Sequence, residues 1–366
     1  MVSDFDPAQI GHQYSQPRDV ESVRELFVEV IAAFARRPFK PHPIFSGPHA
    51  QTLGAYAWPR RRRLFPTLAN DESRLFQVDN GVQVLAQCRW QSNKRSSSTV
   101  VIWHGMEGSI DSVYMWSTAN KAFQAGFNVV RVNYRNCGGT ENLTPTLYHG
   151  GMSSDLGVVL RELVEVDNLK RIFPIGFSLG GNMVLKLAGE YGENPPPEII
   201  ATCVISPSVD LQASTELILK GSNWIYHKNF VRSLKQRIQL KQRLYPELYD
   251  IDKLKEIKTI RDFDERFTSR ANGYINADDY YARASSNRVV QQIRIPTLII
   301  HAADDPFIPF APLQQAGFAD NPYLLLVQTE RGGHVAFVAS RSNKEDRFWA
   351  ENRAIEFCQL SNAVLG

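Results

Sequence analysis

The sequence predicts an α/β fold built on a mostly parallel sheet, and three observations support this prediction. Short apolar runs alternate with helical stretches, a pattern typical of parallel strands covered on both faces. Near the start of this pattern, two strand-like segments flank Asp79-Asn80-Gly81, and Asn-Gly favours a turn between antiparallel strands. The alternation stops for about ninety residues after Ser206 and resumes at Ile295. We therefore expect an antiparallel leading hairpin, a parallel sheet and one inserted segment.

The individual elements follow from apolar periodicity. Helical spacing of apolar residues predicts an amphipathic helix within residues 19–37. A structureless loop as long as the inserted segment is implausible in a compact domain, so we expect helices there. The predicted helices of the insertion cover residues 216–225, 230–244 and 251–260. The predicted strands cover residues 75–78, 82–86, 99–103, 128–132, 172–175, 199–205, 297–300 and 323–327.

These elements divide the chain into three predicted units. Residues 1–70 form an N-terminal extension packed on the core, residues 71–208 and 291–366 form the core, and residues 209–290 form a helical cap insertion. The connector over residues 38–66 has little periodicity and contains the four arginines Arg60 to Arg63. A solvated charge run and a contact with lipid or a partner are both open interpretations of these arginines.

Composition excludes several classes of protein. The chain has 366 residues, of which 43% are hydrophobic, and a net charge of +3, so we expect no nucleic-acid partner. Its four cysteines are far apart and include no CxxC pair, so we expect no zinc site, no redox dithiol, and reduced thiols in a cytoplasmic protein. The N-terminus is polar and acidic, so we expect no signal peptide.

The chemistry centres on the run Gly176-Phe177-Ser178-Leu179-Gly180. A buried strand is predicted before it and a helix over residues 182–191 after it, which places Ser178 on a sharp strand-to-helix turn. Glycines on both sides avoid Cβ clashes at such a turn. The start of the helix directs unpaired N–H groups at the reacting oxygen. We therefore expect Ser178 to be a catalytic nucleophile.

A serine nucleophile needs a base, which in this kind of fold follows the serine and an acid in chain order. Only His227, His301 and His334 come after Ser178. His227 falls in the cap, and His301 ends a strand before the candidate acids. His334 lies in a loop between the last strand and the final helix, so we expect it to be the base. Cys137, the alternative nucleophile, has no assigned base.

Two adjacent aspartates follow the strand that ends at His301. Only one of them can bond the imidazole, because neighbouring side chains point in different directions. The usual pattern at this loop is an Asp followed four residues later by Pro, which selects Asp305 through Pro309. Asp304 is the alternative, although a residue in its position more often caps a turn.

Acyl transfer also needs two N–H donors for the oxyanion. The backbone N–H of Leu179 is one donor. The other is expected from the glycine-containing loop over residues 104–108, where we predict the N–H of Met106, with Glu107 as the alternative. His104 is expected to bond this loop rather than to act as a second base.

The predicted cap has an unusual charge pattern. Between Leu217 and Pro246 there is no acidic residue, and apolar residues alternate with basic ones. Two interpretations of this pattern are open. The segment is either a cap helix packed on the core, or a peripheral segment that binds anionic membrane lipid or an anionic substrate head group. The basic residues are Lys220, Lys228, Arg232, Lys235, Arg237, Lys241 and Arg243.

Several motifs together resemble the YheT-like branch of the α/β hydrolases, also called the AB hydrolase 4 family. The resemblance covers most of the chain and implies the α/β-hydrolase fold and a carboxylester hydrolase, with relatives described as acylglycerol lipases, short-chain esterases or phospholipases. The positions of Ser178, Asp305 and His334 agree with the family pattern. The similar segments are residues 47–52, 104–109, 133–139, 147–149, 176–181, 303–309 and 332–334.

The leading hypothesis for the function is therefore a serine hydrolase that cleaves a small-molecule or lipid ester through an acyl-enzyme. This chemistry requires no cofactor and no metal, so we expect neither. One alternative is an acyltransferase that uses the same triad in a drier site. Another is a non-catalytic binding protein on a hydrolase scaffold, although such scaffolds usually lack one member of the triad.

Overall fold

The centre of the molecule is an eight-stranded sheet, in a computed structural model that describes residues 17–58, 71–341 and 345–366. Its strands are Glu72–Asp79 (β1), Val82–Arg89 (β2), Thr99–Trp103 (β3), Asn128–Val132 (β4), Ile172–Phe177 (β5), Thr202–Ile205 (β6), Thr297–Ala302 (β7) and Leu324–Thr329 (β8). Their spatial order is β1-β2-β4-β3-β5-β6-β7-β8. The β1–β2 and β2–β4 pairs are antiparallel, and every other pair is parallel. The predicted fold class is confirmed.

Apolar burial explains the sheet. Every residue of β3 to β7 is buried, as expected for strands covered on both faces. In the leading hairpin, β2 alternates between buried and half-buried residues, because one of its faces is more accessible. Gly81 has φ 68° in the turn that joins β1 to β2, a conformation that glycine adopts without strain.

Helices surround this sheet. The N-terminal helix α1 packs on the C-terminal helix α12, and α12 in turn packs on α3, while α4 packs on α5. The helices are Val20–Ala35 (α1), Pro48–Ala57 (α2), Val113–Gln124 (α3), Ser153–Glu165 (α4), Leu179–Tyr191 (α5), Leu211–Ile218 (α6), Trp224–Leu244 (α7), Ile260–Phe263 (α8), Ser269–Ala271 (α9), Ala277–Ala284 (α10), Ala316–Ala319 (α11) and Trp349–Leu365 (α12).

Two of the helices predicted in the inserted segment are wrong. The helix predicted over residues 216–225 is split, because α6 ends at Ile218 and α7 begins at Trp224 after a short turn that contains Gly221. Residues 251–260 hold only the short 3₁₀ turn Asp252–Glu256. There, Thr259 and Asp262 form a capping box that starts α8 at residue 260 instead.

The inserted segment has a small apolar core of its own. Residues of α7 and α8 pack with Leu147, Phe307 and Ile308, so this cluster rests on the loops at the carboxyl edge of the sheet. The division into extension, core and cap at residues 70, 208 and 290 stays a prediction. The arginine run at 60–63 and the polar start of the chain lie outside the described residues. In the described part of the chain, no helix has the length and apolar character that crossing a bilayer requires.

Candidate active site

Ser178 lies on the sharp turn between β5 and α5. Its φ of 54° and ψ of −116° fall in a sparsely populated region that costs a residue with a side chain about 1–3 kcal/mol. The amide of Ser178 donates to the carbonyl oxygen of Ile205 at 2.9 Å, which ties the turn to β6. The turn therefore holds the Ser178 hydroxyl at the carboxyl edge of the sheet.

Close packing explains the glycines around this turn. A Cβ on Gly176 would overlap the carbonyl oxygen of Gly180, and a Cβ on Gly180 would lie 2.6 Å from the carbonyl oxygen of His104. A Cβ on Gly105 would lie 3.1 Å from Cβ of Ser178. The serine turn and the loop over residues 104–108 are thus in direct contact.

The structure brings His334 and Asp305 to Ser178. Nε2 of His334 lies 2.9 Å from Oγ of Ser178, and Nδ1 of the same ring lies 2.8 Å from Oδ2 of Asp305. The second oxygen of Asp305 accepts from the amides of Phe307 and Ile308 at 2.8 and 3.0 Å. These bonds fix the orientation of a carboxylate whose side chain is 0% exposed.

The hydrogen bonds among Ser178, His334 and Asp305 show which atoms carry the protons. A carboxylate only accepts, so Nδ1 of His334 carries the proton that bonds Asp305. Nε2 is then an acceptor, and the hydroxyl of Ser178 donates to it. This tautomer is the one that can take the serine proton when the oxygen attacks a carbonyl. The catalytic roles of the three residues stay a proposal.

Asp304 lies in a different position from its neighbour. Its Oδ1 accepts from the amide of Gly333 at 2.9 Å, so it bonds the backbone of the loop that carries His334. Partial burial raises the pKa of Asp304. Of the two adjacent aspartates, one contacts the imidazole and the other holds the loop.

The loop over residues 104–108 is named the oxyanion loop after the role predicted for it, and it leaves the amide of Met106 available. The carbonyl oxygen of Gly105 accepts from Nδ1 of His104 at 2.7 Å and from the amide of Gly108 at 3.1 Å. In a trans peptide the N–H points opposite to the carbonyl, so the Met106 N–H is directed away from these donors. Neither this amide nor that of Leu179, at the start of α5, has a partner within residues 17–58, 71–341 and 345–366.

The amide of Glu107 is already occupied. It donates to the hydroxyl of Tyr148 at 3.0 Å. Burial raises the pKa of Tyr148 well above its usual value, so this hydroxyl keeps its own proton. Glu107, the alternative oxyanion donor, is therefore less available than Met106.

His104 bonds the oxyanion loop from inside the protein. Because Nδ1 donates to the carbonyl of Gly105, Nε2 is an acceptor, and the amide of Tyr134 lies 3.3 Å from it. Full burial lowers the pKa of His104 to about 4, so the ring is neutral at neutral pH. These contacts agree with the expectation that His104 bonds the loop.

Helix α2 contacts the loop that carries His334, which sequence reasoning missed. Thr52 Oγ1 accepts from the amide of His334 at 3.0 Å. The buried side chain of Gln51 accepts from the amide of Val338 at 2.7 Å and donates to its carbonyl at 3.0 Å. The available signal was the family-like run over residues 47–52, to which no chemistry could be assigned because its partners are almost 300 residues away.

Glu107 joins the oxyanion loop to the cap helix α7. Its Oε1 accepts from the Tyr148 hydroxyl and from Nη2 of Arg237, each at 2.9 Å, and Oε2 accepts from the hydroxyl of Ser233. The side chains of Glu107 and Arg237 are 7% and 10% exposed. Arg237 also donates to the carbonyl oxygen of Asn136.

The basic residues of the cap thus face two directions. Lys241, like Arg237, points inward, where it donates to the carbonyl oxygens of Glu141 and Thr144. Burial lowers the pKa of Lys241 to about 8. The outward-facing set contains half-buried Lys235 and four exposed residues, Lys220, Lys228, Arg232 and Arg243.

Aromatic rings connect the start of α7 to His334. The centroids of Phe307 and His334 are 4.8 Å apart, and those of Tyr226 and Phe307 are 4.7 Å apart. The ring of His49, on α2, stacks on Tyr226 with a centroid distance of 5.7 Å. Helices α2 and α7 therefore place aromatic surface beside the imidazole.

The described residues offer no metal site, since no three His, Cys, Asp or Glu side chains cluster within them. The four cysteines are buried and unpaired. Burial raises the pKa of Cys137 to about 12, so this thiol keeps its proton at neutral pH. Since only a thiolate is a strong nucleophile, Cys137 lacks the activation that the alternative interpretation requires.

A parallel sheet with a serine on a strand-to-helix turn at its carboxyl edge is the arrangement of the α/β hydrolases. Residues 98–339 match the family with the alpha/beta hydrolase fold, and the chain belongs to that family. Within it, the chain is 31% identical to the putative esterase YheT of Escherichia coli over 86% of this chain and 91% of that protein. The predicted resemblance to the YheT-like branch is confirmed.

Two further comparisons extend this result. The chain is 31% identical to a monoacylglycerol lipase of Saccharomyces cerevisiae, over 69% of this chain and 57% of that one. The esterase Pf2001 of Pyrococcus furiosus superposes with a TM-score of 0.53 and 16% identity, over 82% of this chain and 95% of that chain. At that identity the superposition supports the fold alone.

Proposed function

We propose that the protein is a serine carboxylester hydrolase in which Ser178 is the nucleophile, His334 the base and Asp305 the orienting acid. The single observation that carries this proposal is the continuous hydrogen-bonded chain from Oγ of Ser178 through the imidazole to the buried carboxylate. Names of relatives, among them an esterase and a monoacylglycerol lipase, support ester chemistry.

The reaction follows from this geometry. Oγ of Ser178 attacks the acyl carbonyl carbon while Nε2 of His334 takes the hydroxyl proton. The amides of Met106 and Leu179 stabilise the oxyanion of the tetrahedral intermediate. When the ester C–O bond breaks, His334 returns the proton to the leaving alcohol. Water then attacks the acyl-enzyme, His334 takes one of its protons, and the acid leaves as Ser178 is reprotonated.

The surroundings of the imidazole favour an apolar acyl group. Phe307 and Tyr226 form an aromatic surface beside His334, and Met106 packs against the apolar clusters of both core and cap. Apolar surface of this kind binds an acyl chain through burial, at about 25 cal/mol per Å². This aromatic surface supports an acylglycerol or phospholipid ester as the substrate.

Fluorophosphonate labelling tests the nucleophile. The wild type is expected to form a covalent adduct, and Ser178→Ala is expected to form none. Ser92→Ala, which changes an exposed serine, is the matched control and should label like the wild type. Absence of an adduct on the wild type would overturn the proposal.

The products separate hydrolysis from acyl transfer. A p-nitrophenyl ester is incubated with the enzyme in water that contains glycerol, and free acid and acylglycerol are both quantified. Hydrolysis predicts free acid as the main product at every glycerol concentration used. If acylglycerol is the main product even at low glycerol concentration, the protein is an acyltransferase instead.

The proposal includes a peripheral contact between the outward-facing side of α7 and an anionic lipid surface. Residues 217–246 contain no carboxylate, so this face is complementary to anionic head groups. Trp224 and Ile225, at the end of α7 nearest the aromatic surface, are 53% and 56% exposed. Nζ of Lys228 lies 4.6 Å from the centroid of the Trp224 ring, so a cation and an apolar ring are presented together.

Vesicle binding tests this contact. The wild type should sediment with vesicles that contain phosphatidylglycerol and not with pure phosphatidylcholine. Neutralising Lys228 and Arg232 together should weaken binding about 30-fold, at about 1 kcal/mol lost per charge. Replacing the exposed Lys170, far from the cap in sequence, is the control and should leave binding intact. Binding that is as tight after the double change as in the wild type would remove this face as the contact.

A further inference from the structure

The buried carboxylate of Glu107 receives hydrogen bonds from two different parts of the molecule. Tyr148, which follows β4, supplies one donor, and the cap helix α7 supplies two, from Ser233 and Arg237. Glu107 itself belongs to the oxyanion loop. A single side chain therefore connects the cap to a loop that lies in contact with Ser178.

The backbone at Glu107 needs this support. Its φ is 57°, a left-handed conformation that residues with a Cβ hold only where their surroundings impose it. Arg237 neutralises the buried carboxylate, and its loss would leave that charge without compensation. Movement of the side chain toward water would relieve the charge, and the strained backbone of Glu107 would be free to rotate with it.

Rotation of the backbone at Glu107 would change the direction of the neighbouring N–H, that of Met106. The N–H of Glu107 and its carboxylate both bond the same hydroxyl of Tyr148, so backbone and side chain are held as a unit. The next peptide toward the N-terminus carries the N–H of Met106. The side chain of Met106 packs against both the core cluster and the cap cluster, so a displacement of the cap would also change the packing of Met106.

We propose that Arg237 and Ser233 are positioning residues that act through Glu107 on the amide of Met106. The oxyanion hole is complete only while α7 is packed on the core. If the cap moves away from the core, the amide of Met106 loses its position and the oxyanion hole is lost. This inference rests on the proposed serine hydrolase function. A purely structural Arg237 would hold the cap in place without affecting the rate of each intact active site.

The test compares Arg237→Met with Lys170→Met, which removes an exposed charge outside the cap. Rates are expressed per site titrated by a fluorophosphonate, so that unfolded molecules are not counted. For Arg237→Met we expect kcat to fall about 10- to 100-fold with little change in KM, up to the loss caused by removing an oxyanion donor. Lys170→Met should keep the wild-type kcat.

A transition-state analogue provides the second measurement. A trifluoromethyl ketone forms a tetrahedral oxyanion on the serine, so its inhibition constant reports on the oxyanion hole. In Arg237→Met, inhibition should weaken by the same factor as kcat/KM. Arg237→Lys, which keeps the positive charge, should recover part of both.

Glu107→Gln tests the route of the effect. Without the carboxylate there is no buried charge for Arg237 to neutralise, so adding Arg237→Met to this variant should change kcat much less than it does in the wild type. An equal loss in both backgrounds would show that Arg237 does not act through Glu107.

The two proposals fail differently. If the wild type forms no fluorophosphonate adduct, the serine hydrolase function itself is wrong. If the wild type labels normally and Arg237→Met keeps the wild-type kcat per site, only the positioning role is wrong.

Discussion

Two loops meet at Ser178 from different sides, and each is held by an element outside the sheet. The histidine loop, residues 332–338, is held by α2 through the neutral side chains of Gln51 and Thr52. The oxyanion loop is held by α7 through the ion pair of Arg237 with Glu107. Helix α2 therefore holds its loop through neutral hydrogen bonds, and α7 holds its loop through charge.

This difference predicts different sensitivities. Neutral hydrogen bonds each contribute about 0.5–1.5 kcal/mol and do not change with pH. A buried ion pair contributes little net stability but is costly when one partner is lost, about 3–5 kcal/mol. The oxyanion loop also contains His104, a buried neutral histidine. We therefore expect the oxyanion loop to respond to charge changes and the histidine loop to respond to loss of single donors or acceptors.

The largest expected effect separates the two aspartates beside the histidine loop. Asp305→Asn should lower kcat about 10⁴-fold, because an amide at this position favours the wrong tautomer of the imidazole. Asp304→Asn keeps an acceptor for the amide of Gly333 and should lower kcat less than about tenfold. Steady-state kinetics on a p-nitrophenyl ester measures both. Equal losses in the two variants would contradict the assignment of Asp305.

The next effect is a dependence of stability on pH that arises in the oxyanion loop. The pKa of His104 is about 4 in the folded protein, against 6.5 for the free side chain. Between these values the unfolded chain binds the additional proton, so the free energy of unfolding falls as the pH falls from 6.5 to 4. The loss is about 3 kcal/mol, at 1.36 kcal/mol per pKa unit.

Denaturant unfolding between pH 4 and pH 7 measures this dependence. His104→Asn removes the titrating group and can still donate to the carbonyl of Gly105, so its curve should be shallower than that of the wild type. Burial also lowers the pKa of His149, to about 3, but His149 contributes equally to both proteins. Two curves of the same slope would show that His104 is not the source.

The smallest effect tests the histidine loop. Thr52→Val keeps the shape of the side chain but removes the acceptor for the amide of His334, which should cost about 1–3 kcal/mol of unfolding free energy. Denaturant unfolding at pH 7 measures this cost. Leu53→Ala, at a 54% exposed position on the same helix, is the control and should change stability by less than about 0.5 kcal/mol. Similar losses in both variants would mean that α2, and not the single acceptor, determines the cost.

The strands show where prediction from sequence succeeds. The predictions for β3 and β4 agree with the structure in every residue, and the other strands differ by a few residues at their ends. These strands are buried on both faces, so a continuous apolar run marks them locally. The cap helices were predicted less well, because their limits depend on turns and caps such as Thr259 with Asp262 rather than on apolar runs.

The basic run of the cap shows where prediction from sequence fails. Arg237 and Lys241 look like their neighbours in the sequence, yet the structure buries both against carbonyl and carboxylate oxygens. Their acceptors lie about 100 residues or more earlier in the chain. No local pattern could separate them from the exposed Lys228 and Arg232.

The sequence by itself determined the sheet, the strand-to-helix turn at Ser178 and the order in which Asp305 and His334 follow it. These features depend on local apolar periodicity, glycine placement and chain order, all of which can be read directly from the sequence. Only the tertiary structure decided that α2 holds the histidine loop and that α7 holds the oxyanion loop. Those contacts join polar groups distant in sequence, and a polar side chain acquires its partner only when folding brings that partner within hydrogen-bond distance.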